Sequence, residues 1–239
     1  MNNILYIPNH NKTTKIDKKF KKYTKEKNPD IIIVSGGDGS LLHAIQSYRY
    51  LNTPFLGVAA GTKNFLMDKI NEKTIKKLIK DKISYKIVKI STIRVKVNRK
   101  RTNDTDNIIF ESSAINDIVI GSSIMDFNTF SYKNKIIKGM GIIISTPIGS
   151  TGFNLNNGGK VIKDLESNVV AISTIASEDN FFEIEKNNQI QNIEILSERN
   201  NVKLFIDGTA KIFELKKGDI VSFERDSIIE LIKIREKDL

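Results

Sequence analysis

Residues Ile31–Ile45 read IIIVSGGDGSLLHAI, and this stretch constrains the fold more than any other. The apolar run from Asp30 to Ser35 has the pattern of a strand buried on both faces in a parallel sheet. Leu41, Leu42, Ile45 and Tyr48 then recur at helical spacing over Ser40–Tyr50. Asp-Gly is a common hairpin dipeptide, but a helix rather than a second strand follows it. Gly36-Gly37-Asp38-Gly39 is therefore a strand-to-helix turn at the carboxyl end of a parallel strand, where open α/β sheets bind ligands. Glycines let the backbone take positive φ and let a ligand approach closely, and the free N–H groups of a helix start suit phosphate. No GxxxxGK[ST] sequence occurs, so this is not a P-loop. The acid is the unusual part. A carboxylate in a phosphate cradle is repelled unless a metal or a reacting hydroxyl partners it, which points to phosphoryl transfer to an alcohol with Asp38 at the hydroxyl proton.

The rest of the first third repeats the strand-helix alternation. Ile4–Ile7 reads as a strand, Lys15–Lys25 as a polar helix, Pro54–Ala59 as a third strand and Glu72–Lys80 as a helix with Ile75, Leu78 and Ile79 aligned. This order predicts a Rossmann-like α/β domain with a parallel sheet. After about Ser84 the pattern changes to short strands separated by turn residues, from KIVKISTIRVKV to IIELIKIRE, with AKIFELKKGDIVSFER read as a single strand region. Helix is expected there only within Ser150–Ile162, and an Asn-rich loop over Asn187–Asn192. The expected organisation is an α/β domain over 1–85 and a β-rich sandwich over 86–239, with the extreme C-terminal tail free to pack back on the first domain.

Composition narrows the function classes. The 239 residues contain no cysteine, which excludes a disulfide scaffold, a thiolate metal site and a cysteine nucleophile, and fits a reducing cytoplasm. Two histidines far apart argue against a His-rich metal site. No apolar run is long enough to span a membrane, and the N-terminus lacks the apolar core of a signal peptide. The net charge of +10 suggests nucleic acid. The lysines, however, are dispersed among Asn, Asp and Glu, and the densest cluster, Lys15–Lys27, has the look of a solvated helix face. No aromatic residues interleave a basic patch. The charge fits polyanionic small molecules such as nucleotides equally well.

Two further segments carry polar groups where packing alone does not ask for them. In STPIGSTGFNLNNGG, Ser145–Gly159, the stretch Gly149–Asn156 offers backbone N–H groups and the Ser150, Thr151 and Asn154 side chains to a nucleotide. In AINDIVIG, Asn116 and Asp117 break an apolar strand. They are either satisfied internally or read a ligand's ribose or base edge.

Taken in order, these segments resemble the NAD kinase family from near the first strand to near the last. GGDGSLLHAI is similar to its GGDG motif, GVAAGTKNFL (Gly57–Leu66) to its GxNxGxxGFL segment, AINDIVI to its Asn-Glu/Asp motif, STPIGSTGFNLNNGG to its TPTGSTAYxxSxGG motif, and FIDG (Phe205–Gly208) to its late Asp-Gly pair. GGDG alone is shared with lipid kinases and phosphofructokinases; the ordered set is specific. The resemblance implies transfer of a phosphoryl group from ATP or polyphosphate to the 2′-hydroxyl of the adenosine ribose of NAD, with Mg²⁺ or another divalent cation and no dedicated protein metal site. It implies Asp38 as proton acceptor, Gly39 against the dinucleotide or donor phosphates with Gly37 as a further nucleotide-binding residue, His43 as a ligand contact one turn into the helix, and Asn116 and Asp117 on the NAD ribose and base. Thr151, Gly152, Phe153, Asn154, Leu155 and Asn156 would line the dinucleotide site, with Ala176 near the adenine and Lys138, Met140 and Ile148 at matched contact positions. It also implies a cytoplasmic homodimer or homotetramer with small-molecule partners and neither nucleic acid nor membrane. The chain departs from the family pattern at Ala59 (for Asn), Lys63-Asn64 (for Leu-Gly), Met140 (for an acid), Ile148 (for a hydroxyl) and Phe153 (for Tyr), mostly on the dinucleotide side. The alternatives are a lipid or sphingoid-base kinase, which would need an apolar acyl pocket, and a dinucleotide-binding sensor without turnover.

Overall fold

The computed structural model describes residues 3–9, 14–23, 27–60, 65–100, 106–122, 126–178, 182–197, 201–208 and 211–235. In chain order the elements are β1 (Ile4–Ile7), α1 (Lys15–Phe20), β2 (Ile31–Gly36), α2 (Asp38–Tyr48), β3 (Phe55–Ala59), α3 (Glu72–Ile79), β4 (Tyr85–Lys100), β5 (Asp106–Ala114), β6 (Asp117–Ser122) and β7 (Asn128–Tyr132). They continue with β8 (Lys135–Gly139), β9 (Gly141–Ser145), α4 (Phe153–Asn156), β10 (Val169–Ile175), β11 (Phe182–Lys186), β12 (Gln191–Ser197), β13 (Val202–Ile206), β14 (Lys211–Glu214) and β15 (Ile220–Ile234). Contacts divide the chain into one unit of residues 1–90 with 229–239 and a second unit, Ser91–Ile228.

In the first unit, β1, β2 and β3 pair in parallel, and Leu231 of β15 lies beside Phe55 in the same sense. β2 is buried at every position, as an interior parallel strand must be. The core gathers Ile4, Tyr6, Ile31, Ile33, Leu56 and Val58 from the strands, Ile75 and Leu78 from α3, and Ile232 and Ile234 from β15. The polar helix α1 is shorter than its charge pattern predicts. It runs to Phe20, which is buried, and continues as a 3₁₀ turn over Lys21–Tyr23; Lys25 lies outside the described residues. Its start is fixed by a capping box between Thr14 and Asp17. Asp17 also accepts the Tyr6 hydroxyl at 2.9 Å and the Asn9 amide at 3.2 Å. For α3, the Asn71 side chain caps the Lys73 and Thr74 amides.

The second unit is built of antiparallel strands. One sheet runs β11-β10-β9-β6-β13-β14. The strands β12, β7, β8 and β5 pair with one another or with the neighbouring parts of β4 and β15 to form the other layer. One apolar cluster joins the layers, including Val95 and Val97 of β4, Ile118 and Ile120 of β6, Phe130 of β7, Ile144 of β9 and Phe223 of β15. β7 and β13 show the alternating burial of strands with one covered face. The region read as one strand over AKIFELKKGDIVSFER is broken into β14 and β15. Asp219 turns the chain there by accepting the Lys216 amide, and Gly218 sits at φ +86°. The Asn-rich segment is a loop only up to Ile190, because Gln191 and Asn192 pair with Phe223 and Ser222 at the start of β12.

Candidate functional site

In the first unit the glycine turn begins at Gly36, with φ +151°, where an added Cβ would lie 2.4 Å from the Ser40 hydroxyl oxygen. A side chain is thus excluded both by conformation and by space. Gly37 is the extended N-cap residue and Asp38 opens α2, two residues earlier than the apolar spacing predicts. A carboxylate in the first turn is favoured by the unpaired amides and dipole of a helix start. Its two oxygens are held separately: Oδ2 accepts the Phe65 amide and Oδ1 the Leu66 amide, each at 2.9 Å. A carboxylate offers about four acceptor positions, so two remain for other donors.

Gly37, Gly39 and His43 line a cavity of about 650 Å³ together with Asn9, Ser40 and Tyr48. Gly39 is exposed, and a Cβ there would meet nothing within 4 Å, so the chain itself does not require glycine at this position. Asp38 is not among the residues lining that cavity; its carboxylate is turned to the Phe65–Leu66 segment. Of the segment that departs from the family pattern, Ala59 ends β3, whereas Gly61–Asn64 lie outside the described residues.

In the second unit Asn116 and Asp117 border a cavity of about 590 Å³, with Met140, Phe153, Phe205 and Asp207 among its walls. Asp117 is 4% exposed. Burial pushes its carboxyl up to about 6, the nearby Asp207 carboxylate adds to the rise, and the Gly208 amide opposes it. The Asn116 amide group donates to Asp117 Oδ2 at 3.2 Å. Beneath them Asp207 gathers three consecutive backbone amides: Ile115 at 3.0 Å and 3.1 Å to its two oxygens, Asn116 at 2.6 Å and Asp117 at 3.1 Å. Asp207 itself sits at φ +47°, and its amide donates back to the Asp117 carbonyl at 2.9 Å. The two sequence alternatives for Asn116 and Asp117 are therefore combined, since both have internal partners and both face a cavity. Asp207 was visible in the sequence only as part of FIDG; its clamp on residues about ninety positions earlier was not.

The segment after β9 is stapled from within. The Thr146 hydroxyl donates to the carbonyls of Ile115 and Asn116, and Gly149 packs so closely that a Cβ would stand 2.0 Å from the Asn116 oxygen. The Ser150 hydroxyl donates to the Pro147 carbonyl and accepts the Ile162 amide; the Asn154 side chain donates to the carbonyls of Ser150 and Lys160. Both residues are fully buried. The expectation that these two side chains are presented to a nucleotide is corrected: they tie the loop to itself, because a short 3₁₀ turn running into the four-residue α4 leaves backbone groups that need them. Thr151 donates to the Ile148 carbonyl, and Ile148 is buried. Gly152 caps α4, whereas Phe153, Leu155 and Asn156 are exposed. Lys138 is exposed on β8, outside the cavity lining. Ala176 is exposed at φ +44°, next to the cavity-lining Ile175.

Comparison with known proteins then decides the family. The ATP-NAD kinase C-terminal domain matches residues 70–228, and the ATP-NAD kinase N-terminal domain matches residues 6–87. The chain belongs to the NAD kinase family. It is 32% identical over 182 residues to the NAD kinase of Rickettsia bellii (strain OSU 85-389), covering 73% of this chain and 68% of that one. It is 33% identical over 190 residues to the NAD kinase of Rickettsia rickettsii (strain Sheila Smith), covering 74% and 70%. The fold is shared with yeast NADH kinase, crystallised with NADH, at a TM-score of 0.72 and 22% identity; the match covers 88% of this chain and 64% of the yeast chain. The activity of this family member is phosphorylation of NAD.

Proposed function

We propose that the phosphoryl group passes from ATP or polyphosphate to the 2′-hydroxyl of the adenosine ribose of NAD, with Asp38 as the general base. The observation that supports this most is the setting of Asp38. It is a partly exposed carboxylate at the first turn of α2, fixed by two amides and with acceptor positions left over. In the step proposed, Asp38 takes the hydroxyl proton while the ribose oxygen bonds to the terminal phosphorus. The bond from that phosphorus to the donor's bridging oxygen breaks, and NADP leaves with ADP or a shortened polyphosphate. Such transfers pass through a loose transition state, so positioning and charge stabilisation supply most of the rate. Gly37, Gly39 and the helix start would receive donor phosphates, and His43 would contact the ligand from the next turn.

Asn116 and Asp117 would hold ribose hydroxyls or base of NAD, with Met140, Phe153 and the exposed face of α4 against the dinucleotide and Ala176 near the adenine. Lys138 would supply a charge from the strand beside Met140. Among the described residues no group of three or more His, Asp or Glu side chains is arranged for a metal ion. The divalent cation, Mg²⁺ in this reading, would enter as a component of the metal–nucleotide substrate, held by the donor's phosphates. The protein is read as a cytoplasmic homodimer or homotetramer with small-molecule partners, testable by light scattering.

The decisive experiment is Asp38→Asn. Loss of a placed general base costs on the order of 10² to 10⁴ in rate, with the fold retained by circular dichroism. Near wild-type formation of NADP by that variant would overturn the assignment. Asn116→Ala is expected to weaken NAD binding more than ATP binding, measured by calorimetry.

A further inference from the structure

Residue 66 is held from both sides. Its amide binds Asp38 Oδ1, and its carbonyl accepts the Lys233 ammonium. Lys233 donates also to Asp68 Oδ1 at 2.9 Å, and the amide of Ile234 donates to Asp68 Oδ2 at 2.9 Å. Asp68 is tied in turn to β3, donating its amide to the Gly57 carbonyl at 2.8 Å and accepting the Ala59 amide at 2.9 Å. The Leu66 and Met67 side chains between these points are buried. Thus the segment 65–68, which supplies both amides that grip Asp38, is fastened to β3 through its backbone and to β15 through one lysine and one amide. The ion pair is largely shielded, at 23% and 12% side-chain exposure for Lys233 and Asp68, where screening by water and salt is reduced.

We propose that Lys233 and Asp68 are positioning residues for Asp38, setting the Phe65 and Leu66 amides so that the carboxylate presents its remaining acceptor positions to the reacting hydroxyl. This rests on the reading of Asp38 as the base. The physical case is that Lys233 spends its ammonium on the carbonyl of the residue that donates to Asp38 as well as on an acid. Loss of that ammonium frees the peptide group following Leu66 and lets the two donor amides drift. Displacements of about 1 Å in a reacting group cost up to roughly a hundredfold in rate. The effect should appear in turnover rather than in NAD binding, because the residues read as holding the ribose and base of NAD, Asn116 and Asp117, belong to the second unit.

The test uses the full chain with Lys233→Met, which keeps the apolar stem, and Asp68→Asn. Expected are a kcat reduced roughly ten- to a hundredfold with a KM for NAD unchanged within about twofold. Faster hydrogen exchange at the Phe65 and Leu66 amides by NMR should accompany it. Adding Lys233→Met to Asp38→Asn should cost nothing further, since both act through one carboxylate. An unchanged kcat, a parallel change in kcat and KM, or unfolding of both variants would overturn the proposal. Near wild-type turnover by Asp38→Asn alone would instead overturn the base assignment, leaving the exchange measurement to report whether Lys233 still orders the two amides.

Discussion

The carboxylates of Asp38 and Asp117 are handled in opposite ways. Asp38 stands at the start of a helix, partly exposed, with a separate amide on each oxygen. Asp117 is buried on β6 with a second carboxylate close by, and its proton is held more tightly for that reason. Water and amides stabilise an ionised acid; burial and a like charge destabilise it. Read with the proposed roles, the first arrangement fixes a base in place with acceptor positions to spare. The second stores a group whose unfavourable charge is relieved when ribose hydroxyls donate to it. The same residue type thus serves turnover in one unit and binding in the other.

The comparison breaks first at Asp38. Its change to Asn should lower kcat by on the order of 10² to 10⁴ with little change in the KM for NAD, while Asp117→Asn should act mainly on KM. Steady-state kinetics on the pair would separate them, and an equal effect on both constants in both variants would abolish the distinction. Next in size is Gly149→Ala. Its methyl would overlap the Asn116 carbonyl, so a loss of about 1–3 kcal/mol in stability is expected, together with weaker NAD binding. Thermal melting and calorimetry measure the two.

The pH dependence follows from Asp117. Its folded pKa of about 6 lies above the ordinary value of 3.8. The stability tied to its proton is therefore fully present below about pH 4 and is lost as pH rises through about 6. NAD binding should run the other way, because the ionised form accepts hydroxyl donors. The KM for NAD should then rise roughly tenfold for one pH unit below the midpoint. Asp207→Asn removes the neighbouring charge and should move that midpoint down; an unmoved midpoint would mean that Asp207 acts only through its backbone clamp. The smallest effect is expected at Ala176→Gly. It relieves a left-handed conformation and should stabilise the unit by about 0.5–1 kcal/mol, readable by denaturant titration.

The two regions also differ in how far they could be read from the chain alone. The Asp38 turn is local: an apolar run, three glycines and a helical repeat lie within fifteen residues, so strand, turn and helix follow from periodicity and steric freedom. What periodicity does not carry is the direction of a short polar side chain. Ser150 and Asn154 have the same chemistry whether they meet a ligand or their own loop, and the choice depends on backbone groups left open by a 3₁₀ turn. Asp207 and Lys233 escape for another reason. Their partners lie 90–92 and 165–167 residues away, and no local pattern records such pairings. The burial of Ile148 and the break at Gly218 are likewise settled by packing and turn geometry.

The last strand has a bearing on how the molecule is made. The sheet that begins with Ile4 lacks a member until Leu231 reaches Phe55, and the segment gripping Asp38 lacks its fastening until Lys233 has been synthesised. On the ribosome the second unit is complete before the first can close, and nascent chains halted short of that lysine would carry the aspartate without its brace. The residues that complete the first sheet and brace its aspartate are among the last to leave the ribosome.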